Sequence, residues 1–333
     1  MFTKQVTISP SNIRFAAQEH SSILESAKKA NVILEHSCGT GQCGTCKARV
    51  IKGQVSFEDI HQVLTAEEKA QGLILTCNSN AMTDLEIEAT YYPELEGIEK
   101  RTIPCKVDSI HFPVADVAIL KLRLPPTAEL RFLPGQYIDL SFMNTTRSYS
   151  IACASSDQNI IELHIKKMPG GQFSQLIFEQ LKPNQLMRLQ GPIGSFFVRS
   201  HQSPLIFLAG GTGFAPIKAM IELLIRQDDQ RAIHLYWGLR NRASLYSTLP
   251  TEWALNYPQI QTHVVLSEDA SWNGRRGLVH QAVLDDFDDL SGFTVYACGS
   301  SEMIQLAKRL FLEKKLEERA FIADAFVPAI VQN

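Results

Sequence analysis

The sequence predicts a multidomain chain of mixed α+β and α/β class: a small α+β unit, then an antiparallel β-barrel, then a parallel α/β domain. Three observations predict it. The chain has 333 residues, too many for one core when ~100–200 residues make a domain. Short apolar runs separated by turn residues fill its middle, and strand–helix alternation takes over from Pro204. Hydrophobic residues make up 45% and charged residues 20%, a folded rather than a disordered composition.

Charge and termini narrow the class. Lys and Arg total 32 against 35 Asp and Glu, a formal net charge of −3. That argues against a polybasic nucleic-acid binder, which needs many phosphate-neutralising side chains. The start, Met1-Phe2-Thr3-Lys4-Gln5-Val6, lacks the apolar core of a secretory signal, and no uncharged apolar run approaches the ~20 residues of a membrane span. The expectation is a cytoplasmic protein with neither membrane nor nucleic-acid contact. Seven cysteines without a secretory signal argue against a disulfide framework.

Residues 1–92 form the first expected domain. Alternating stretches at Gln5–Ile8 and Ile13–Ala16 read as a hairpin around Pro10-Ser11-Asn12. Ile23, Leu24, Ala27 and Ala30 have helical spacing, with Ser21 or Ser22 as N-cap. Strands at Ala48–Ile51, Leu73–Cys77 and Leu85–Ala89 and a short helix at Ala66–Ala70 follow. Residues 93–104, with a mixed charged run and Pro104, read as a linker. In residues 105–200 strands are expected at Val117–Leu124, Tyr137–Phe142, Ser148–Ala152, Ile161–Lys166 and Leu186–Gln190, with a helix at Ser174–Glu179. In residues 201–333, strands at Leu205–Ala209, Ile233–Trp237, Thr262–Leu266 and Thr294–Cys298 alternate with helices at Pro216–Arg226 and Ser301–Lys314.

The cysteines carry the first chemistry. Four residues separate Cys38 from Cys43, two separate Cys43 from Cys46, and thirty separate Cys46 from Cys77. This is the plant-type spacing for a [2Fe–2S] cluster, in which each iron takes two cysteine sulfurs. Gly39, Gly41 and Gly44 let the loop fold tightly and aim N–H groups at sulfur. Four cysteines could also fill a structural zinc site, which usually comes as two CxxC pairs. Only Cys43 and Cys46 have that form.

Two further constellations follow. The middle domain carries Arg147-Ser148-Tyr149-Ser150, then Pro169-Gly170-Gly171-Gln172-Phe173-Ser174, then Gly191-Pro192-Ile193-Gly194-Ser195-Phe196. Gly170, Gly171 and Ser174 stand at a helix start, where backbone N–H groups hold phosphate. The last domain carries Gly210-Gly211-Thr212-Gly213-Phe214-Ala215-Pro216 between strand and helix, a second anion cradle that is not the GxGxxG fingerprint. Cys298-Gly299 ends an apolar strand, and Ala323-Asp324-Ala325-Phe326 lies near the end. His36 reads as a polar loop residue, Cys105 and Cys153 as core thiols, and Asp285, Asp286, Asp288 and Asp289 as a solvated loop.

In this order the motifs resemble the iron–sulfur flavoprotein reductases that feed Rieske and di-iron oxygenases, within the ferredoxin–NADP reductase superfamily. The resemblance implies a ferredoxin-like β-grasp domain, a flavin-binding barrel and an NAD(P)H-binding domain. It implies that Arg147 neutralises the flavin diphosphate, Tyr149 offers an aromatic face, and Ser150 hydrogen-bonds the isoalloxazine edge. Gly210, Gly211, Thr212, Gly213 and Pro216 would hold the dinucleotide, Cys298 and Gly299 would flank the nicotinamide, and Phe326 would cover the flavin or pack in the core. FAD rather than FMN follows from the ferredoxin-first members; the sequence alone leaves it open. NADH is the expected donor, but Arg240 and Arg242 could tolerate the 2′-phosphate of NADPH.

A narrower likeness lies outside the cofactor motifs, in Tyr91–Leu95, Pro104–Ile110, Leu122–Ala128 and Gly277–Leu284. These stretches are similar to the reductases of 3,6-dideoxyhexose biosynthesis. That implies electron delivery to a redox partner, a pyridoxamine-phosphate sugar dehydrase; the alternative is the reductase component of an oxygenase. Nicotinamide gives two electrons at once and a [2Fe–2S] cluster takes one, so the implied path runs through the flavin.

Overall fold

The computed structural model describes residues 3–36, 39–57, 59, 61–155, 159–200 and 202–326. The chain divides into two compact units, one ending at Ile98 and the other starting at Glu99.

The first unit opens on the expected hairpin, β1 (Lys4–Ser9) and β2 (Ile13–Ala17), paired Val6 to Phe15. Helix α1 (Ile23–Lys29) starts where the Ser22 hydroxyl accepts the Glu25 N–H. Then come β3 (Lys47–Lys52), β4 (Val55–Phe57), α2 (Ala66–Ala70), β5 (Leu73–Leu75), β6 (Ser79–Ala81) and β7 (Leu85–Glu88). Thr65 and Glu68 close a capping box on α2. The sheet runs β2-β1-β7-β3-β5, with β1 and β7 parallel. Ile23, Leu24 and Ala27 of α1 join Val6, Ile8, Phe15 and Ile87 in its core. The small β4–β6 ribbon is an addition to the elements read from the sequence.

The expected linker 93–104 needs correction. Pro93–Leu95 is a 3-10 turn with Leu95 buried, and strand β8 (Arg101–Val114) begins inside the supposed linker. Pro104 is tolerated because it pairs only with β13 (Leu186–Ile193) at Arg188; the pairing of β8 with β9 (Val117–Arg123) starts later, at Lys106. Its missing N–H therefore interrupts no ladder on that side.

Four more elements complete the barrel: β10 (Tyr137–Phe142), β11 (Thr145–Ser150), β12 (Ile160–Lys166) and α3 (Gln172–Glu179). The antiparallel order is β11-β10-β13-β8-β9-β12, and an Ile151–Leu163 bridge joins the two edge strands. β11 starts three residues earlier than expected, because Met143 and Asn144 (φ 45° and 61°) make a tight hairpin turn.

The α/β part contains β14 (Leu205–Gly210), α4 (Phe214–Arg226), β15 (Ile233–Leu239), α5 (Leu249–Asn256), β16 (Ile260–Leu266), β17 (Arg275–Arg276), α6 (Val279–Asp286), β18 (Thr294–Ser300), α7 (Ser301–Glu313) and β19 (Phe321–Phe326). Its parallel sheet runs β17-β16-β15-β14-β18-β19. The chain moves outward on one side of β14 and then returns to the other, so β14 and β18 frame the switch point where such sheets bind ligands. Asp288 and Asp289 lie in an exposed loop as expected, while Asp285 and Asp286 belong to helix α6 instead. Asp285 and Asp286 close α6, Asp286 accepts a hydrogen bond from the Tyr236 hydroxyl and pairs with Arg275 at 2.5 Å, and Asp289 pairs with Lys315 at 2.6 Å. Among the described residues no helix is long and apolar enough to cross a membrane.

Candidate functional site

The cysteine loop lies between α1 and β3. Cys46 ends it, 2% exposed, and its carbonyl accepts the Thr76 N–H at 3.0 Å. That bond brings Cys77 beside it, with the two sulfurs 3.2 Å apart. Cys43 stands partly buried in the same loop; Cys38 lies outside the described residues. Among the described residues no three His, Cys, Asp or Glu side chains gather as a metal site, and the Cys46 and Cys77 sulfurs are brought together. Gly41 adopts φ +77°, and a Cβ there would stand 2.2 Å from the Asn78 amide beside Cys77. Behind the loop, Asp59 accepts the Val63 and Leu64 N–H groups and pairs with Lys69 at 2.9 Å. Burial raises the Asp59 pKa, but Lys69 and these backbone bonds outweigh it and hold the carboxyl below its usual range. The soft thiols of Cys46 and Cys77 suit iron–sulfur chemistry.

His36, read as a polar loop residue, is in fact buried at 4% exposure, its Nδ1 2.7 Å from the Leu34 carbonyl.

In the second unit, strand alternation on β11 sends neighbouring side chains to opposite faces. Tyr149 is half-buried against Phe173 of α3, ring centroids 5.7 Å apart. Burial pushes its hydroxyl up against the opposing pull of Arg147, so it stays neutral. Ser150 is buried opposite Tyr137, and Arg147 is exposed with one N–H given to the Thr146 carbonyl at 2.7 Å. The Tyr149–Phe173 contact sets the Gly170–Gly171 turn next to the Arg147–Ser150 strand. The Ser174 hydroxyl is used internally, donating to the Gly171 carbonyl at 2.9 Å and accepting the Met168 N–H at 3.1 Å. Backbone N–H groups of the first turn of α3, rather than the Ser174 hydroxyl, are the donors there that can face an anion. Gln136, fully buried, ties the Gly191–Phe196 turn down by donating to the Gly194 carbonyl at 2.8 Å.

At the switch point, Gly210 ends β14 and Gly211–Gly213 makes a 3-10 turn into α4. Gly213 is required by contact: a Cβ there would stand 2.1 Å from the Cys298 carbonyl oxygen. Trp237 donates its indole N–H to the Gly211 carbonyl at 2.9 Å and stacks on Phe214 at 4.4 Å. Thr212 is half-exposed, and Pro216 is buried at the third position of α4. Cys298 pairs with Ala209 on one side and Asp324 on the other. Burial, and then Asp324, push the Cys298 thiol well above its usual range, so it is a neutral thiol rather than a thiolate nucleophile. Gly299 follows beside Gly210, and a Cβ added to Gly299 would stand 3.2 Å from the Gly210 Cα. Phe326 ends β19 opposite Ser300, 37% exposed. Arg242, weighed as a 2′-phosphate partner, lies 4.0 Å from Asp269 and 5.3 Å over the Trp272 ring.

Cys105 and Cys153 pack in the barrel, where burial raises their thiols to about 12 and about 11. Sequence reasoning missed a polar group between barrel and sheet: Glu162, His164, Lys218, Glu222 and Tyr246. The usable signal was Lys218, one cation inside the apolar run Phe214–Ile225.

Comparison with known proteins matches three families in order along the chain. They are the 2Fe-2S iron-sulfur cluster binding domain over residues 6–82, the oxidoreductase FAD-binding domain over 104–198 and the oxidoreductase NAD-binding domain over 207–309. The chain is 50% identical to the CDP-6-deoxy-L-threo-D-glycero-4-hexulose-3-dehydrase reductase of Yersinia pseudotuberculosis, covering 97% of this chain and 98% of that protein. It is 31% identical to the terephthalate 1,2-dioxygenase reductase component 1 of a Comamonas species, covering 97% of both. Among solved structures it is similar to the Amycolatopsis cytochrome P450 reductase GcoB, with TM-score 0.79, 26% identity, and coverage of 98% of this chain and 99% of that one.

Proposed function

This chain belongs to the iron–sulfur flavoprotein reductases of the ferredoxin–NADP reductase superfamily, and on that premise we propose that its electrons go to a CDP-sugar 3-dehydrase. It is an NAD(P)H-dependent oxidoreductase that works by electron transfer, with a [2Fe–2S] cluster, FAD and a nicotinamide as its cofactors. The activity proposed is that of a CDP-6-deoxy-Δ3,4-glucoseen reductase, working in the cytoplasm on a pyridoxamine-phosphate dehydrase that carries the sugar. The observation that carries it is the identity over the full chain, 50% to a dehydrase reductase against 31% to a dioxygenase reductase component.

The residue roles support the same reading. Cys38, Cys43, Cys46 and Cys77 would hold the cluster. Arg147, left at the surface, would meet the FAD diphosphate together with the first-turn N–H groups after Gly170 and Gly171. The neutral Tyr149 hydroxyl and its ring would lie along the flavin, and buried Ser150 would donate at the isoalloxazine edge. The Gly210–Gly213 turn would receive the pyrophosphate of the nicotinamide cofactor, with Cys298 and Gly299 at its reactive ring. Phe326, exposed at the end of β19, would cover the flavin between turnovers. When bound at these residues, the flavin would supply hydride acceptance and the cluster single-electron transfer. We place the domains at 1–92, 105–200 and 201–333, with the barrel's first strand carried back to Arg101. NADH is the proposed donor, because Asp269 offsets the charge of Arg242, where a 2′-phosphate would need a cation.

Reconstitution tests the partner. The purified protein is mixed anaerobically with NADH, the pyridoxamine-phosphate dehydrase and its CDP-sugar substrate. One NADH consumed per sugar deoxygenated is expected. NADH consumption that requires an oxygenase component, with the sugar unchanged, would establish the oxygenase alternative instead.

A further inference from the structure

Five polar side chains with no part in the roles above meet in a buried seam between the barrel and the α/β sheet. Glu162 and His164 come from β12, Lys218 and Glu222 from α4, and Tyr246 from the segment before α5. The Lys218 ammonium lies 2.8 Å from Glu222 and 3.1 Å from Glu162, and donates to the Ala152 carbonyl at 2.8 Å. With its side chain 10% exposed, all three of its donors are spoken for, which is what makes a buried ammonium tolerable. His164 lies 3.1 Å from Glu162 through Nε2 and 3.0 Å from the Tyr246 hydroxyl through Nδ1. The Tyr246 ring stands edge-on to Trp237 at 5.1 Å, and Trp237 holds the Gly211 carbonyl.

The connectivity matters more than the charges. Ala152 lies two residues beyond Ser150, and the Ala152 N–H is fixed to the Glu162 carbonyl at 2.8 Å. Helix α4 begins directly after Gly213. One cation and one histidine thus join the end of the strand assigned to the flavin to both sides of the loop assigned to the nucleotide. We propose that Lys218, Glu162, His164 and Tyr246 form a positioning clasp that holds the Ser150–Ala152 strand end and the Gly210–Gly213 loop in fixed register for hydride transfer. None of the four touches a reacting atom. The inference rests on the cofactor reading of those two segments.

The test uses the full-length, cofactor-loaded protein carrying Lys218→Met and Glu162→Gln together, which removes the more buried pair and leaves without its cation only Glu222, the more exposed carboxylate at 27% against 15%. Hydrogen exchange, recorded without NADH, should quicken about tenfold at the amides of Ile151–Ser155 and Gly213–Lys218. Exchange in β1–β7 should not change. With ferricyanide as acceptor, kcat should fall about tenfold or more while the KM for NADH moves less than about threefold. Unchanged exchange at either segment, or kcat within about twofold of wild type, overturns the clasp. If the double variant does not fold, Tyr246→Phe, which removes one hydroxyl, should still quicken exchange at Gly213–Lys218; no change there overturns it equally. A wild-type protein that fails to oxidise NADH would overturn the cofactor reading instead, and the exchange result would still judge the clasp.

Discussion

His164 is held between the Tyr246 hydroxyl and Glu162, 5% exposed, and its proton placement follows from its neighbours. Burial pushes the Tyr246 hydroxyl well up, so it keeps its proton and donates to Nδ1. Nε2–H then donates to Glu162. Burial pushes Glu162 up, but the His164 bond and the Lys218 charge outweigh it and hold the carboxyl down at about 2. Burial also holds His164 below its ordinary 6.5, despite the pull of Glu162. The unfolded chain therefore takes up this proton more readily than the folded one. Its contribution to stability is complete above pH 6.5 and erodes as pH falls, by at most about 1.4 kcal/mol per pH unit. Denaturant unfolding between pH 7.5 and 5.5 should show this slope in wild type and a shallower one in His164→Gln. Equal slopes would mean that His164 takes up its proton in the folded state as easily as in the unfolded.

The glycine turn after β14 makes a sharper claim about an element. Gly213→Ala places a methyl group against the Cys298 backbone carbonyl, 2.1 Å away before relaxation. Because backbone must yield, the change should cost about 1–3 kcal/mol and raise the KM for NADH about tenfold, with FAD content unchanged. An unaltered KM, measured beside an absorbance-based FAD count, would remove this turn from the nucleotide site. Which elements were readable follows from their patterning. β10 was legible to the residue because Tyr137–Phe142 alternates cleanly, and the parallel strands β14 and β18 because they are unbroken apolar runs. β8 was hidden because Pro104 reads as the linker's end and Lys106 and Asp108 interrupt the apolar positions Ile103, Cys105 and Val107, which face the barrel core. α5 and α6 were not legible in the sequence; α5 buries only Pro250 and Trp253 of its eight residues, too few to set up a helical apolar pattern. In the site, the cysteine, glycine and Arg147–Ser150 motifs were legible because their chemistry depends on local spacing. The Glu162–His164–Lys218–Tyr246 group was not, because tertiary packing alone brings its members together, His164 and Tyr246 across 82 residues of sequence.

At the scale of the whole molecule, the cysteine loop belongs to the unit ending at Ile98, and the flavin and nucleotide segments both belong to the unit starting at Glu99. Seams such as Lys218 to Ala152 and Arg226 to Ser155, at 2.8 and 2.7 Å, bind barrel and sheet into that second unit. This division implies that hydride chemistry is completed within one unit and single electrons leave through the other. The chain's net charge of −3 is too small to specify a partner by charge alone. The division of labour is what can be measured. Cys43→Ala and wild type are mixed anaerobically with NADH while flavin absorbance is followed, and are then offered cytochrome c as a one-electron acceptor. The account predicts flavin bleaching at the wild-type rate in Cys43→Ala, loss of the iron–sulfur absorbance, and cytochrome c reduction lowered about tenfold or more. Cytochrome c reduction at the wild-type rate without the cluster, or failure of the flavin to bleach with FAD still bound, would contradict it.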